Sequence, residues 1–185
     1  PSISANDLRD ISSAQYQDLL NDPSRPLFNR AFMGLYPPAS TIKPLLTVFA
    51  LNNGYTNWDE TIFDDGFFRF EEEERVFNAW REGGHGLTDL RKALVESSNP
   101  FFMNLSVKYE KDLFVEFLKS SSFGSKLCED CYPHQFSPLR DDSWKYKNFG
   151  KELYKGDFIN LGVGQGYMLT TPLHLSLMSG ILAKK

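Results

Sequence analysis

The stretch Tyr36-Pro37-Pro38-Ala39-Ser40-Thr41-Ile42-Lys43-Pro44 decides the fold of this chain and most of the chemistry that it indicates. The residue before a proline avoids the helical region, so the stretch starts in an extended conformation. A helix is predicted to follow, because apolar residues recur at helical spacing between Ile42 and Ala50. Ser40 or Thr41 would cap this helix, and Asn53-Gly54 would end it.

Ser40 and Lys43 form an S-x-x-K motif, which is a candidate catalytic pair. A serine hydroxyl is a poor nucleophile unless a base removes its proton, and residues three apart on a helix share a face. The helix N-terminus would favour the negative charge of an attacking oxygen, and burial would lower the pKa of the lysine so that it acts as base. The alternative is an ordinary N-cap serine and an exposed lysine, since chance matches to this motif are common.

A second motif, Ser97-Ser98-Asn99, supports the catalytic interpretation. S-x-x-K occurs with a second serine motif in penicillin-binding proteins and class A β-lactamases. Ser97 could relay a proton, and the Asn99 amide could hydrogen-bond a substrate carbonyl. The alternative is a helix-ending turn, because all these residue types favour turns. A helix that begins at Thr88 or Asp89 is accordingly predicted to stop at Asn99-Pro100.

Elsewhere the sequence predicts more helices than strands. Residues 5–30 are polar and turn-rich, and prolines are expected to break any regular element there. The other predicted elements are a helix through Phe102, Leu105 and Tyr109, a helix over 112–119, an irregular segment over 125–150, a last helix with Thr171 as cap and Pro172 at its first position, a solvated acidic loop at Glu71 to Glu74, and strand candidates at Phe67 to Phe70 and near Ile159.

Composition limits the class of protein. The 185 residues are 41% hydrophobic and 24% charged, the balance of a folded globular protein. The net charge is -4 and no Lys/Arg-rich stripe stands out, so no nucleic-acid partner is indicated. No apolar run is long enough for a membrane-spanning helix. The first residue is not Met and the last residues read as the middle of a helix, so we expect a piece of a longer protein.

Two groups of residues could be imagined as metal ligands. Cys128 and Cys131 are spaced as in half of a zinc site, with His134 nearby, but free thiols and a short-loop disulfide are open alternatives. His85 could join Asp64-Asp65, yet no third ligand has convincing spacing, and a structural histidine is favoured. The sequence therefore predicts neither a metal site nor a cofactor.

Taken together, the motifs identify a family resemblance that runs across nearly all 185 residues. The sequence resembles the transpeptidase domain of class B penicillin-binding proteins, in particular the penicillin-binding protein 2 group of cell elongation. One departure is Ala39, where relatives usually have Gly. The strings that carry the resemblance occur in family order: Asn29-Arg30-Ala31, residues 34–44, Trp80, Gly84-His85-Gly86, residues 96–102, Gly156-Asp157, residues 162–167 and residues 170–173.

The resemblance implies an α+β, β-lactamase/transpeptidase-like fold, an antiparallel sheet flanked by helices, of which residues 1–185 form part. Ser40 would be the acylated nucleophile, with its backbone N–H in the oxyanion hole, and Lys43 would be the base. Ser97 would shuttle protons and Asn99 would hold the substrate amide. The family's third motif, K-[S/T]-G, does not occur in the sequence, so we expect this piece to be inactive alone.

The implied reaction is attack on a D-alanyl-D-alanine stem peptide, loss of D-Ala, and transfer of the acyl group to an amine. β-Lactams would trap the acyl-enzyme. A rod-shape scaffold protein and a membrane glycan polymerase would be partners, and the domain would be periplasmic, on a protein anchored in the inner membrane by a helix outside this chain. Two alternatives stay open: a serine β-lactamase or D,D-carboxypeptidase, and a non-catalytic interaction module of the elongation machinery.

Overall fold

Helices provide most of the regular structure. The computed structural model describes residues 3–70, 74–127, 130 and 137–184. Two 3-10 turns, Ala5–Leu8 and Ala39–Ile42, accompany the other elements, which are α1 (Ser13–Asn21), α2 (Arg30–Met33), α3 (Lys43–Asn52), β1 (Thr61–Asp64), β2 (Phe67–Phe70), β3 (Arg75–Asn78), β4 (Gly86–Asp89), α4 (Leu90–Val95), α5 (Asn99–Ser106), α6 (Lys111–Ser120), α7 (Asp142–Phe149), α8 (Lys155–Leu161) and α9 (Pro172–Ala183).

The strands form two small antiparallel pairs. β1 pairs with β4, with Thr61 opposite Asp89, and β2 pairs with β3, with Phe67 opposite Asn78. The β1–β4 pair leads directly into α4, because Asp89 ends the strand and caps the helix through the backbone N–H of Lys92. The predicted α+β class and the strand at Phe67–Phe70 are therefore confirmed.

An aromatic cluster packs α3 against the helices that follow the second motif. The ring of Phe49 lies 5.0 Å from that of Tyr109, edge-on, and 5.5 Å from that of Phe114. Fully burying a side chain of this size stabilises a fold by roughly 1.5–3 kcal/mol. This packing fixes the start of α3, because Ile42 and Leu46 are buried in the same core.

Three predictions of local structure hold. The helix predicted over 112–119 is α6, with Glu110 as its cap. Thr171 caps α9, its hydroxyl accepting from the N–H of His174, and Pro172 occupies the first turn. Asp89 caps α4, as expected from its position before an apolar helical pattern.

The prediction for residues 5–30 is wrong, because this segment contains α1 and its last residue, Arg30, begins α2. Ser12 and Gln15 form a capping box: the Ser12 hydroxyl accepts from the Gln15 N–H, and the Gln15 side chain accepts from the Ser12 N–H. That reciprocal pair satisfies two backbone donors and starts the helix. The prolines that follow only end it.

The helix boundary at the second motif is also wrong. α4 ends at Val95, and Asn99 and Pro100 begin α5 instead of ending a helix. The Ser98 hydroxyl caps α5 through the N–H of Phe101, and proline is tolerated in the first turn because its missing N–H needs no partner there.

Three further expectations need correction. The chain near Ile159 is helical and not a strand, because Ile159 lies within α8, where it is fully buried. The segment over 125–150 contains α7, which Asp141 caps and Gly150 ends with a φ of 68°. The helix predicted through Tyr109 ends at Ser106. Glu71 to Glu73, Cys128, Cys131 and His134 lie outside the described residues.

No helix in the described parts of the chain combines the length and the apolar character that crossing a membrane needs.

Candidate active site

The two motifs meet where α3 begins and where α4 passes into α5. Ser40 is exposed in the 3-10 turn Ala39–Ile42, and Lys43 is the first residue of α3. The prediction that Ser40 or Thr41 caps the helix is wrong, because the cap position of α3 is Ile42 and makes no side-chain capping bond. The Ser40 hydroxyl therefore does not cap α3 and can hydrogen-bond to the second motif.

A chain of hydrogen bonds joins the four predicted site residues. The Ser97 hydroxyl donates to Ser40 Oγ over 2.9 Å. Lys43 Nζ donates to Ser97 Oγ over 3.1 Å, to the Ser97 carbonyl over 2.8 Å and to Asn99 Oδ1 over 2.8 Å. The structure therefore brings Ser40, Lys43, Ser97 and Asn99 together.

Lys43 reaches Ser40 through Ser97. Among the described residues, no hydrogen bond links Lys43 Nζ directly to Ser40, although the sequence spacing led us to expect the lysine above the serine. The hydroxyl of Ser97 can accept from one neighbour while it donates to the other, because a hydroxyl has one donor and two acceptor positions. This geometry fits Ser97 for passing a proton between Ser40 and Lys43.

Lys43 is poised to titrate near neutral pH. Only 2% of the residue is exposed, and this burial lowers the pKa of its ammonium group from 10.5 to about 8. The Phe102 ring lies 5.2 Å from Nζ and forms one wall of the site. With a pKa near 8, far more of the lysine is neutral at physiological pH than in a solvated lysine. Burial thus supplies the basic form that proton abstraction needs.

The backbone is strained at both motifs. Ala39 has a φ of 49° and Ser97 a φ of 55°, in the left-handed region that favours glycine. Each such residue costs about 1 kcal/mol or more, so the surrounding structure must hold it in place. Ala39 therefore adopts this turn at an energetic cost that a glycine would not pay.

The loop over 162–166 holds the turn that carries Ser40. The Ala39 N–H donates to the Gly164 carbonyl over 2.8 Å, and Gly164 itself has a φ of 69°. A Cβ at Gly164 would lie 2.2 Å from the Ala39 carbonyl oxygen, so only glycine allows this approach. Just before the turn, Tyr36 and Thr170 exchange two backbone hydrogen bonds of 2.8 Å.

His85 takes a structural position outside the four-residue cluster. Its Nδ1 lies 2.7 Å from Asp64 Oδ2, and both side chains are buried, whereas Asp65 is exposed. No group of three histidine, cysteine, aspartate or glutamate side chains in the described ranges could hold a metal ion. The sequence did not single out Ser98, although its hydroxyl bonds Asp64 over 2.6 Å. No local signal marks that contact, because the two residues are far apart in the chain.

The family model and the curated relatives that match this chain belong to the same protein family. The family model for the penicillin binding protein transpeptidase domain matches residues 5–184. The peptidoglycan D,D-transpeptidase MrdA of Escherichia coli K12 is 37% identical over 166 residues, which is 90% of this chain. The same match covers 26% of that protein, so the chain spans about a quarter of the length of the curated relatives it matches.

Solved structures agree with the sequence matches. The crystal structure of Pseudomonas aeruginosa penicillin-binding protein 2 in complex with WCK 5153 superposes with a TM-score of 0.86 at 32% identity, covering 92% of this chain and 37% of that one. Penicillin-binding protein 2 from Helicobacter pylori, in a complex with MreC, gives 0.85 at 30% identity, covering 94% of this chain and 32% of that one. These matches confirm the predicted transpeptidase fold.

Proposed function

The chain belongs to the penicillin-binding protein transpeptidase family, and from that membership we propose that it carries the acylation centre of a peptidoglycan D,D-transpeptidase of cell-wall elongation. The observation that carries the proposal is the hydrogen-bonded chain from Ser40 through Ser97 to Lys43, with Asn99 on the same lysine. A nucleophile, a proton relay and a base within hydrogen-bond reach of one another are what acyl transfer requires.

Acylation begins with neutral Lys43. Its amine accepts the Ser97 proton while Ser97 Oγ accepts that of Ser40, and Ser40 Oγ attacks the carbonyl carbon between the two D-alanines of a stem peptide. The tetrahedral intermediate collapses as the C–N bond breaks. The leaving D-Ala amine takes a proton back through Ser97 from Lys43, so an ester on Ser40 and a neutral lysine remain.

Transfer repeats the route with a second substrate. The amine of a neighbouring stem peptide attacks the ester carbonyl and loses one proton to Lys43 through Ser97. The C–O bond to Ser40 breaks, and the same proton returns to Ser40 Oγ. The products are a new amide cross-link and the free enzyme.

Asn99 and the start of α3 would position the substrate. The Asn99 amide oxygen accepts from Lys43, which orients its Nδ2 donors for a carbonyl of the bound peptide. The Ser40 backbone N–H precedes α3 and would donate to the oxyanion, where preorganised donors typically contribute about 3 kcal/mol each. A β-lactam would enter the same site and acylate Ser40.

Partners and location follow from the same family. The Helicobacter pylori relative is found in a complex with MreC, and we extend a rod-shape scaffold partner of that kind to this protein, together with a membrane glycan polymerase. The domain would act in the periplasm on stem peptides, as part of a protein anchored in the inner membrane.

Intact mass spectrometry with a penicillin tests the proposal. We expect the full-length protein to gain one adduct, which peptide mapping places on Ser40, and the Ser40→Ala variant to gain none. Ser120→Ala, which removes an exposed hydroxyl in α6, should leave the adduct unchanged. A folded wild-type protein without an adduct would contradict the proposal, and rapid loss of the adduct with release of hydrolysed penicillin would identify a hydrolase.

A further inference from the structure

Ser98 lies between the two motif residues that contact Lys43, but its side chain points into the protein. It is fully buried. Its hydroxyl donates to Asp64 Oδ2 over 2.6 Å and accepts from the Phe101 N–H over 3.3 Å at the start of α5. One hydroxyl therefore ties the second motif both to α5 and to the end of β1.

Asp64 is a buried anion with three donors. Its exposed fraction is 0%, and besides Ser98 it accepts from His85 Nδ1 over 2.7 Å and from the Gly66 N–H over 2.9 Å. Burial alone would raise the pKa of this carboxyl, but the hydrogen bonds from Ser98, His85 and Gly66 outweigh burial and lower the pKa. The carboxylate is therefore ionised at neutral pH, and its bonds are of the strong, charge-assisted kind.

His85 is held in place from several sides. An ionised carboxylate can only accept, so Nδ1 donates to Asp64, while the buried Nε2 has no partner within the described part of the chain. Lys92 Nζ donates to the His85 carbonyl over 2.5 Å and to the Leu87 carbonyl over 2.9 Å. A Cβ on Gly84 would lie 2.2 Å from the Asp64 carbonyl oxygen, so the turn fits Asp64 only with glycine.

We propose that Asp64 is a positioning residue for the acylation reaction: through Ser98, it holds Ser97 and Asn99 against Lys43. This inference rests on the proposed function. Ser97 has a φ of 55°, and a strained residue keeps its conformation only when neighbours hold it. Lys43 holds the motif from the reactive side, and Asp64 holds it from the interior.

The Asp64→Asn variant of the full-length protein tests this role, because the amide has the size of the carboxylate without its charge. We expect the rate of penicillin acylation, per folded molecule, to fall about 10- to 100-fold, since small misplacements of reacting groups have effects of that size. Hydrogen exchange at the Phe101 amide, which the same hydroxyl caps, should accelerate about tenfold. The exchange measurement does not depend on activity.

Two histidine variants separate positioning from general destabilisation. His85→Asn places an amide N–H close to the position of Nδ1 and should keep most of the wild-type acylation rate. His85→Gln places its N–H near Nε2 and should lower the acylation rate. His174 is the matched control, since it is also fully buried, bonds the Ser121 carbonyl with one ring nitrogen and has an unpartnered second nitrogen in the described structure. His174→Asn places its N–H near Nδ1 and so loses the bond to Ser121, and it should lower the melting temperature without changing acylation per folded molecule.

The outcomes for the two proposals differ. If the wild-type protein is acylated and Asp64→Asn is acylated at the same rate per folded molecule, the positioning role is refuted and the proposed function stands. If the wild-type protein is not acylated, the proposed function fails. In that case unchanged exchange at Phe101 in Asp64→Asn also refutes the anchor, while accelerated exchange supports Asp64 as the residue that holds the motif.

Discussion

Replacing Gly164 by alanine is expected to displace the turn that carries Ser40. The new Cβ would lie 2.2 Å from the carbonyl oxygen and 2.8 Å from the nitrogen of Ala39. Both contacts are to backbone atoms, so no side-chain rotation relieves them. The loop and the turn must separate, and the hydrogen bond from the Ala39 N–H to the Gly164 carbonyl must break. Ser40 follows Ala39 directly and moves with it.

The magnitude follows from two contributions. An alanine at a φ of 69° costs about 1 kcal/mol. Loss of the backbone hydrogen bond, with its groups left partly unpaired in a buried region, costs about 1–3 kcal/mol. We therefore expect the Gly164→Ala variant to lose about 3 kcal/mol of unfolding free energy. Acylation of Ser40 should fall about 100-fold per folded molecule, because misplacing a reactive group by about 1 Å has an effect of that order.

Gly150→Ala is the matched control. Gly150 has nearly the same φ, 68°, but a Cβ there would meet no atom within 4 Å. Only the conformational cost of about 1 kcal/mol applies, and acylation should not change. Urea denaturation of both variants and penicillin acylation kinetics measure the difference. Equal losses of stability in the two variants, or a normal acylation rate in Gly164→Ala, would refute the assignment of this loop as the support of the turn.

Three other predictions concern the same site and its surroundings. Since the pKa of Lys43 is about 8, the acylation rate should rise with pH up to about 8 and then level off, and a rate independent of pH from 6 to 9 would contradict the lysine's role. Between about pH 8 and 10.5 the folded state binds fewer protons than the unfolded state, so this group also makes the free energy of unfolding rise with pH across that window. Ser97→Ala should slow acylation about 100-fold or more with little change in melting temperature, because it removes the relay hydroxyl but keeps a Cβ at the same strained position; an unchanged rate would exclude the relay. Asp157→Asn should cost about 3–5 kcal/mol by breaking its buried ion pair with Lys145, whereas Glu60→Gln, in an exposed pair, should cost under about 1 kcal/mol in the same denaturation assay; similar losses would refute the importance of burial.

The motif residues were predictable because their spacing is local and their order is that of a family. Ser40, Lys43, Ser97 and Asn99 were all named from the sequence, and the structure places them in one hydrogen-bonded chain. Their connectivity was not predictable, since Ser97 stands between the other two only after α4 and α5 have packed on α3. The bond from Ser98 to Asp64 is of the same kind, a tertiary contact without a sequence pattern.

The misassigned elements share a different cause, namely residues whose signals have two meanings. Pro100 can end one helix or begin the next, and the fold uses the second option. Apolar residues around Ile159 fit a buried strand or a short buried helix, and periodicity does not separate the two. At Ser12 the capping box with Gln15 indicates the start of a helix, whereas the prolines that follow indicate only where it ends.

The bridge between Tyr36 and Thr170 has a consequence for the order in which the protein is made. The two residues are about 130 positions apart, and contacts of such separation close late because the loop entropy must be overcome first. A chain emerging from the ribosome presents Ser40 long before the partner of Tyr36 exists. Ser40 can therefore take its final position only after nearly the whole of this segment has been synthesised.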